Sequence, residues 1–260
     1  MDQVIAPDGT PIAFRRSGHG PPLLLVHGTT ADHSRWNPLS ERLESDFTVY
    51  SMDRRGRGGS GDAADYSLAR EAEDVAAVLD AVGEPVFVLG HSYGALVSLE
   101  AALLTDNIRR LVLYEPPLPI GPPSYSPDLP GRIQSLIDAG ELEEALLVFF
   151  REVVEMPERE LESYRRLPVW PVRVRLAPTI PREMVAEAEY RFDPEPFSRL
   201  STPSLLLLGG DSPPLFRKAI ETLDEVLPNS RVRVMPGQQH IAMDTAPDLF
   251  LEELVTFLGG

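Results

Sequence analysis

The segment that decides the fold is Val86-Phe87-Val88-Leu89-Gly90-His91-Ser92-Tyr93-Gly94, a short apolar run followed by a serine between two glycines. The run has the length of a strand and is too uniformly apolar to have a wet face, which indicates a buried strand. The residues from about Tyr93 to Leu104 predict a helix. Strand, sharp turn and helix in this order present the middle residue at the carboxyl end of a sheet. We therefore predict that Ser92 is a nucleophile rather than part of a plain glycine-rich turn.

Short apolar runs on either side of this segment predict the rest of a sheet, and helical patterns separate most of them. The clearest helical pattern, 68–82, repeats apolar residues every three or four positions between an N-cap at Ser67 and a stop at Gly83. The predicted strands are Val4–Ala6, Ile12–Arg16, Pro22–His27, Thr48–Met52, Val86–Leu89, Arg110–Tyr114, Ser204–Leu208 and Arg231–Met235, and further helices are predicted at about Leu215–Leu227 and Pro247–Leu258. This order predicts the α/β class, with an eight-stranded, mostly parallel sheet flanked by helices.

The region from Pro116 to Leu200 interrupts this alternation. It opens with a proline-rich stretch through Pro130, which can form neither a helix interior nor a central strand. The helix-like segments that follow lie near Arg132–Ala139, Glu141–Glu155, Pro157–Leu167 and Pro181–Arg191. Their amphipathic patterns argue against a flexible linker. We predict a core formed by residues 1–115 and 201–260, with residues 116–200 inserted as a helical cap between strands six and seven; an independent domain is the alternative.

The composition limits the classes of partner. The formal net charge of -16 disfavours binding to nucleic acid or to an anionic membrane surface. No apolar run approaches the roughly 18 residues of a membrane span. The N-terminal residues lack the pattern of a secretory signal, so we expect a cytoplasmic protein. With no cysteine and with scattered histidines, we expect no disulfide, no metal site and no cysteine nucleophile, and the oligomeric state is left open.

A serine hydroxyl needs a base that takes its proton, and His240 is the best-placed histidine. It ends the segment Pro236-Gly237-Gln238-Gln239-His240, where a loop after the last predicted strand can carry the imidazole to the carboxyl edge of the sheet. His91 should point away from the serine hydroxyl, and His27, at the end of strand three, should be structural. His19 and His33 are expected in loops or at the surface.

The oxyanion that forms when a serine attacks a carbonyl needs two backbone N–H donors. Tyr93, directly after the serine, should supply one of them. The loop Val26-His27-Gly28-Thr29-Thr30 should supply the other from Thr29, because Gly28 permits a close turn there. The alternative is that this segment is only a loop with a glycine.

Together these segments resemble the α/β-hydrolase superfamily over nearly the whole chain outside the predicted cap. Leu25-Val26-His27-Gly28 is similar to the family's His-Gly oxyanion motif, Asp53-Arg54-Arg55-Gly56-Arg57-Gly58-Gly59-Ser60 to its loop after strand four, Gly90–Gly94 to its serine motif and Gly237–His240 to its Gly-x-x-His. The resemblance implies hydrolysis of esters, lactones, amides or related bonds without a cofactor. A serine at position 92 argues against the branches that use an aspartate nucleophile. In the loop after strand four, Asp53 and Arg55 are expected to hold neighbouring loops.

The acid of the expected catalytic triad departs from the family pattern. Most relatives have an aspartate three residues after the glycine that ends strand seven, but counting from Gly209 gives Ser212. Asp211, one residue earlier, could serve as the acid. Glu115 ends strand six, a position from which some branches supply the acid, and we favour it as the partner of the His240 imidazole. Asp244 is a weaker option that we expect to cap a local turn.

The cap is expected to roof the substrate pocket, with Trp36, Phe149 and Trp170 among its walls. No basic cluster is obvious near the motifs, which favours a small to medium, neutral, moderately hydrophobic ester or lactone as the substrate. The expected activity is that of a carboxylesterase-like serine hydrolase that acts through a Ser92 acyl-enzyme. A perhydrolase, a C–C bond hydrolase or an acyl transferase could use the same site, and a hydrolase-like protein that only binds a ligand is the alternative from another class.

Overall fold

One sheet forms the centre of this computed structural model, which describes residues 1–121 and 125–259. Its strands within these residues are β1 (Asp2–Ile5), β2 (Pro11–Gly18), β3 (Pro22–Val26), β4 (Thr48–Met52), β5 (Val86–His91), β6 (Ile108–Tyr114), β7 (Ser204–Gly209) and β8 (Ser230–Met235). The eight strands lie in the order β1-β2-β4-β3-β5-β6-β7-β8. β2 is antiparallel to β1 and β4, and the other neighbouring pairs are parallel. The predicted α/β class and mostly parallel sheet are confirmed.

Helices surround the sheet and fill the segment between β6 and β7. They are α1 (Asn37–Asp46), α2 (Leu68–Val82), α3 (Tyr93–Ala101), α4 (Leu129–Asp138), α5 (Leu142–Glu152), α6 (Glu158–Tyr164), α7 (Trp170–Arg175), α8 (Ile180–Glu189), α9 (Pro194–Phe197), α10 (Pro214–Val226), α11 (Ala242–Thr245) and α12 (Pro247–Gly259). Short 3-10 turns lie at His33–Trp36 and Ala177–Thr179. Among the described residues, no helix is both long enough and apolar enough to cross a membrane.

Four of these helices, α1, α7, α9 and α11, were not predicted from the sequence, and α9 and α11 have only four residues each. α1 buries only Leu39 and Leu43. One pair of apolar residues four positions apart is too little to indicate a helix in the sequence. The segment that forms α7, Trp170-Pro171-Val172-Arg173-Val174-Arg175, alternates apolar and basic residues after its proline, as a half-buried strand would. The structure shows a helix there, and the proline is compatible with it because it stands in the first turn, where a backbone N–H has no partner within the helix.

Side chains that alternate along the central strands divide the core between the two faces of the sheet. Leu24 and Val88 pack on one face into a cluster with residues of α2, α3 and α10. Leu25 and Leu89 pack on the other face into a cluster with residues of α1 and α12. Every residue of β3, β5 and β7 is buried, which explains why these strands are almost uniformly apolar in the sequence.

The segment inserted between β6 and β7 has a hydrophobic cluster of its own. α4 to α8 contribute to it, and at its centre the Phe150 ring lies 5.6 Å from the Tyr164 ring and 5.9 Å from the Trp170 ring. Residues 122–124 of the predicted proline-rich stretch lie outside the described residues. Because its helices bury apolar side chains against one another, the insertion packs as a layer of helices and not as an extended linker.

Buried ion pairs join this insertion to the sheet. Glu183 of α8 accepts hydrogen bonds at Oε1 from Arg54 Nη2 (2.5 Å) and from Arg57 Nη2, and both arginines come from the loop after β4. Arg54 also binds Glu71 of α2, with its Nε 2.6 Å from Glu71 Oε2. All four side chains are at most 2% exposed. Removal of one partner would leave an uncompensated buried charge, so these contacts fix how α8 sits on the sheet.

A close approach between α3 and β3 gives the first testable prediction. A Cβ atom at Gly94 would lie 2.3 Å from the carbonyl oxygen of His27, so we expect Gly94→Ala to lower the free energy of unfolding by about 3 kcal/mol. Gly131, in α4, has open space around it, so Gly131→Ala should raise that free energy by about 1 kcal/mol. Urea denaturation of both variants measures the difference, and equal effects would contradict the close packing at Gly94.

Candidate active site

Ser92 stands at the sharp turn between β5 and α3. Its backbone adopts φ 55 and ψ -129, a conformation that L-residues rarely take. The glycines on either side permit this turn, because a Cβ at Gly90 would lie 2.6 Å from Ala95 Cα and one at Gly94 would meet the β3 carbonyls. The Ser92 amide donates to the Tyr114 carbonyl at 2.8 Å. The strained turn is therefore held from both sides, and its side chain lines a cavity.

The loop after β3 passes directly beside Ser92. A Cβ atom at Gly28 would lie 2.8 Å from Ser92 Cβ and 3.4 Å from its Oγ, so only glycine fits at this point. Thr29 lines the same cavity as Ser92 and Tyr93. The amides of Thr29 and Tyr93 donate to no protein acceptor among the described residues. Two residues whose amides have no protein acceptor among the described residues thus line the cavity together with Ser92, and an oxyanion site needs two such donors.

His27 braces this loop from below. Its Nδ1 donates to the Gly28 carbonyl at 2.9 Å, and its Nε2 accepts from the Arg54 amide at 3.2 Å. Complete burial, together with the nearby arginines, lowers the pKa of His27 to about 3, so the ring is neutral. The histidine connects the loops after β3 and β4 and carries no free nitrogen toward the cavity.

Arg173 of α7 holds the same loop from above. Its Nη1 donates to the Thr29 carbonyl and to the Thr30 Oγ1, each at 3.0 Å. The side chain is almost fully buried, with its guanidinium over the rings of Phe150 and Tyr164. The sequence carries no signal for the role of Arg173, because its segment has a strand-like pattern and its partners lie about 140 residues earlier in the chain.

The structure brings His240 and Glu115 together. His240 Nδ1 donates to Glu115 Oε2 at 2.6 Å, and both side chains are buried. With the proton on Nδ1, a neutral His240 ring leaves Nε2 as an acceptor. His240 lines the same cavity as Ser92. Phe216 stacks on the imidazole at 4.4 Å between ring centroids and fixes its plane.

Glu115 is held in place by residues at the end of β7. Its Oε1 accepts from the Gly209 amide at 2.7 Å and from the Ser212 hydroxyl at 2.5 Å. Its own backbone lies in the left-handed region, at φ 48. Ser212 thus occupies the position where the resemblance implies an aspartate, and here its hydroxyl donates to Glu115, the residue that follows β6. Counting three residues from Gly209 singled out this position, but the sequence did not indicate what the serine does.

Asp211 and Asp244 lie away from the His240 ring. Asp211 is exposed, and its backbone amide donates to the Gln238 carbonyl. Asp244 forms a two-pronged ion pair with the buried Arg35, with Oδ2 2.5 Å from Nη2. The expectation that Asp244 caps a local turn is therefore wrong, because its carboxylate is engaged by a guanidinium instead.

Tyr114 and His91 pin the loop that carries His240. The Tyr114 hydroxyl donates to the Gln239 carbonyl and accepts from the Ala242 amide. His91 Nε2 donates to the His240 carbonyl at 2.9 Å. Burial lowers the pKa of His91 well below its ordinary value, so this ring stays neutral beside His240. His91 points away from the cavity, and its role is to position the neighbouring loop.

The cavity has a volume of about 570 Å³ and lies between the sheet and the inserted helices. Thr29, Ser92, Tyr93 and His240 line it from below, and Phe149 and Met184 from above. Trp36 is wholly buried on the opposite face of the sheet, with α1 and α12, so the expectation that it forms a wall is wrong. Trp170 is also not a wall, because its ring packs inside the helical cluster and its Nε1 donates to Glu143.

The family of this chain is identified by a match that includes the residues of the site. Residues 23–253 match the family model described as "Alpha/beta hydrolase family". The chain belongs to this family. The match covers most of the described residues and includes Ser92, Glu115 and His240. This hydrolase therefore shares its scaffold with a family of enzymes, while the roles of its individual residues rest on the geometry above.

Similar proteins give the α/β hydrolase a closer context. An α/β hydrolase from Sphaerobacter thermophilus is 38% identical, with a TM-score of 0.87, over 99% of this chain and 100% of that chain. An esterase from Rhodococcus sp. is 28% identical, with a TM-score of 0.81, over 100% of this chain and 98% of that chain. N-formylmaleamate deformylase from Pseudomonas putida is 37% identical over 131 residues, which is 48% of this chain and 49% of that protein. This last match spans about half the length of each chain.

Asp32, His33 and Asp53 of this hydrolase form a cluster whose ligand-type atoms all lie within 4.8 Å of one another. Asp53 Oδ1 accepts from the His33 amide and from His33 Nδ1, and its Oδ2 accepts from the Gly59 amide. Asp32 accepts from Ser34. Protein donors thus already occupy these oxygens, and the cluster holds loops together, as does Arg55 through its ion pairs with Asp74 and Asp8.

Glu187, one helical turn after Glu183 in this hydrolase, gives a prediction on pH dependence. Burial and the charge of Glu183 raise the pKa of Glu187 to about 8 from an ordinary 4.5. Between these two pKa values the folded protein keeps the Glu187 proton, whereas the unfolded chain loses it. The free energy of unfolding therefore falls as the pH rises from about 4.5 to about 8. Between about pH 5 and about pH 8, the melting temperature of the wild type should fall more than that of Glu187→Gln, by roughly 7–14 °C.

The control for this measurement is Glu189→Gln, an exposed position on the same helix. Thermal unfolding followed by circular dichroism at both pH values compares the three proteins. Other buried carboxyls with a raised pKa, such as Glu160 and Asp74, are present in all three and cancel in the comparison. An equal loss in the wild type and in Glu187→Gln would show that Glu187 is ionised throughout.

Proposed function

We propose that this protein is a serine hydrolase that cleaves a carboxylic ester or lactone without a cofactor. The observation that carries the proposal is the convergence of Ser92, two free amides and the Glu115-bound His240 ring on one cavity. Each element answers one need of acyl transfer, namely a nucleophile, a site for the oxyanion and a base. The chain belongs to a hydrolase family and is 28% identical to an esterase, and both findings support the same class of reaction.

In the proposed reaction, His240 Nε2 takes the proton of the Ser92 hydroxyl as its oxygen attacks the substrate carbonyl. The Thr29 and Tyr93 amides stabilise the oxyanion, and His240 returns the proton to the leaving alcohol. Water then attacks the acyl-enzyme by the same route and releases the acid. Glu115 keeps the Nδ1 proton of His240 in place and stabilises the imidazolium ring. Arg173 positions the Thr29 loop without touching the substrate.

The shape and lining of the cavity support a small to medium, moderately hydrophobic substrate. Its walls are mostly apolar, with Phe149, Met184 and Phe216 among them, and its volume suits a molecule of metabolite size. Amide and C–C bond cleavage, perhydrolysis and acyl transfer would use the same nucleophile and oxyanion site. The ester or lactone is proposed because a serine acyl-enzyme forms most readily when the leaving group is an alcohol.

Ser92 provides the direct test of this proposal. The wild type should release nitrophenol from p-nitrophenyl acetate in a burst, and a fluorophosphonate probe should label Ser92. Ser92→Ala should lose both signals, because Ser92 is the nucleophile of the proposed site and none of the other described residues is assigned that role. Mass spectrometry of the labelled peptide locates the adduct. A wild type that shows neither hydrolysis nor labelling would instead indicate a protein that only binds its ligand.

The assignment of the acid gives a second prediction. Glu115→Gln keeps the shape of the side chain but loses the charge that orients His240, so we expect kcat to fall by roughly 10⁴-fold. Asp211→Asn, at an exposed position away from the imidazole, should change kcat by less than about twofold. Steady-state hydrolysis of the same nitrophenyl ester compares the two variants. Near-full activity in Glu115→Gln would sink the proposed triad.

A further inference from the structure

Two glutamates of α8 stand out among the mostly apolar walls of the cavity. Glu183 and Glu187 both line it and lie one helical turn apart, so they occupy the same face of the helix. Neither takes part in the proposed reaction at Ser92. Charged or polar groups are costly to bury without partners, so a pair of carboxyls in this position calls for an explanation.

Glu183 uses only one of its two oxygens within the protein. Oε1 accepts from Arg54 and Arg57, which neutralise its charge, whereas Oε2 is buried and has no hydrogen-bond partner among the described residues. The side chain is only 2% exposed. A buried carboxylate oxygen without a partner is an acceptor that is ready for a donor from a ligand.

Glu187 has an ionisation behaviour that differs from that of an ordinary glutamate. Since burial and the neighbouring charge raise its pKa to about 8, its carboxyl is mostly protonated at neutral pH. A protonated carboxyl can donate one hydrogen bond as well as accept one. The pair therefore offers an acceptor, at Glu183, beside a donor, at Glu187.

Two tyrosine hydroxyls add to this polar part of the cavity. The Tyr93 hydroxyl is buried and without a partner among the described residues, and its ring lies under the Arg54 guanidinium at 4.6 Å. Tyr125 also lines the cavity, and burial followed by the charge of Glu187 raises its pKa to about 12. The cationic side chains that line the cavity, Arg191 and Lys218, are exposed and donate to backbone carbonyls.

We propose that Glu183 and Glu187 form a subsite for a neutral substituent that both donates and accepts hydrogen bonds, with a carboxamide as the best fit. The amide N–H would donate to Glu183 Oε2, and the protonated Glu187 would donate to the amide oxygen. A carboxylate in the same place would set one acceptor against another at Glu183 Oε2, with no proton to offer. The inference rests on the proposed function, because it places this group on the same molecule whose ester carbonyl Ser92 attacks.

The test uses esters that differ only at one end. Ethyl 4-amino-4-oxobutanoate carries the carboxamide, ethyl 4-oxopentanoate replaces it with a methyl ketone, ethyl 4-methylpentanoate with an isopropyl group and monoethyl succinate with a carboxylate. Homologues with one or two more methylene groups vary the reach, and a second series carries the same end groups on the alcohol of an acetate ester. For each ester, kcat/KM is measured in the wild type and Kd in Ser92→Ala, so binding is scored separately from turnover.

In at least one series we expect the carboxamide to exceed the methyl ketone roughly tenfold in both kcat/KM and affinity, with the carboxylate weakest. The methyl ketone should in turn be preferred to the isopropyl ester, because its carbonyl accepts from Glu187. Glu187→Leu should reduce this second preference to about one, and Glu187→Gln should keep part of it because an amide side chain still donates. Glu189→Leu, exposed on the same helix, is the matched control and should keep the full preference. Since these comparisons are ratios within one protein, a change in overall activity does not affect them.

Two results would overturn the subsite, namely equal values for carboxamide and ketone in both series, or a preference for the ketone over the isopropyl ester that survives in Glu187→Leu. Esters that are all hydrolysed without preference would leave the proposed function standing and remove the subsite. A preference for the carboxamide in Ser92→Ala binding, combined with no turnover in the wild type, would support the subsite and remove the proposed function.

Discussion

The Glu115 carboxylate is the interaction on which the geometry of the site depends. It is wholly buried at the end of β6 and receives hydrogen bonds from the Gly209 amide, the Ser212 hydroxyl and His240 Nδ1. Three donors on one carboxylate link β6, β7 and the loop after β8, which are distant in the chain. A buried carboxylate is stable only when it is satisfied in this way. The orientation of the His240 ring is therefore a consequence of how the sheet is assembled.

The inserted helices act on the site as well as covering it. Arg173 binds the Thr29 carbonyl, and Glu183 binds Arg54 and Arg57, which follow β4, so two buried side chains connect the helices to the loops around Ser92. Such contacts are costly to break, because each would leave a charge or a carbonyl without a partner. The inserted layer and the loop that supplies the proposed oxyanion donor thus behave as one structural unit.

Local sequence was sufficient for the main features of the fold and for two of the proposed catalytic residues. The uniformly apolar runs predicted buried strands, because a strand covered on both faces has no place for a polar side chain. The glycines around Ser92 predicted a sharp turn, since a Cβ at Gly90 or Gly94 would meet backbone or side-chain atoms. His240 could be singled out because every parallel strand ends at the same edge of the sheet, so the loop after the last strand must reach the site.

Only the tertiary structure decided which side chains meet. Asp211 and Ser212 are neighbours in the chain, but Asp211 is exposed whereas Ser212 is buried and donates to Glu115. The sequence does not predict this difference, because a loop has no periodic pattern of apolar residues. Trp36 lies on the face of the sheet that α1 and α12 cover, although a large aromatic side chain would suit the wall of a pocket equally well. Arg173 and Glu183 reach partners more than 120 residues away. Sequence patterns encode the local conformation of each segment. Contacts between distant segments depend on how those segments pack in three dimensions, and only the tertiary structure shows that packing.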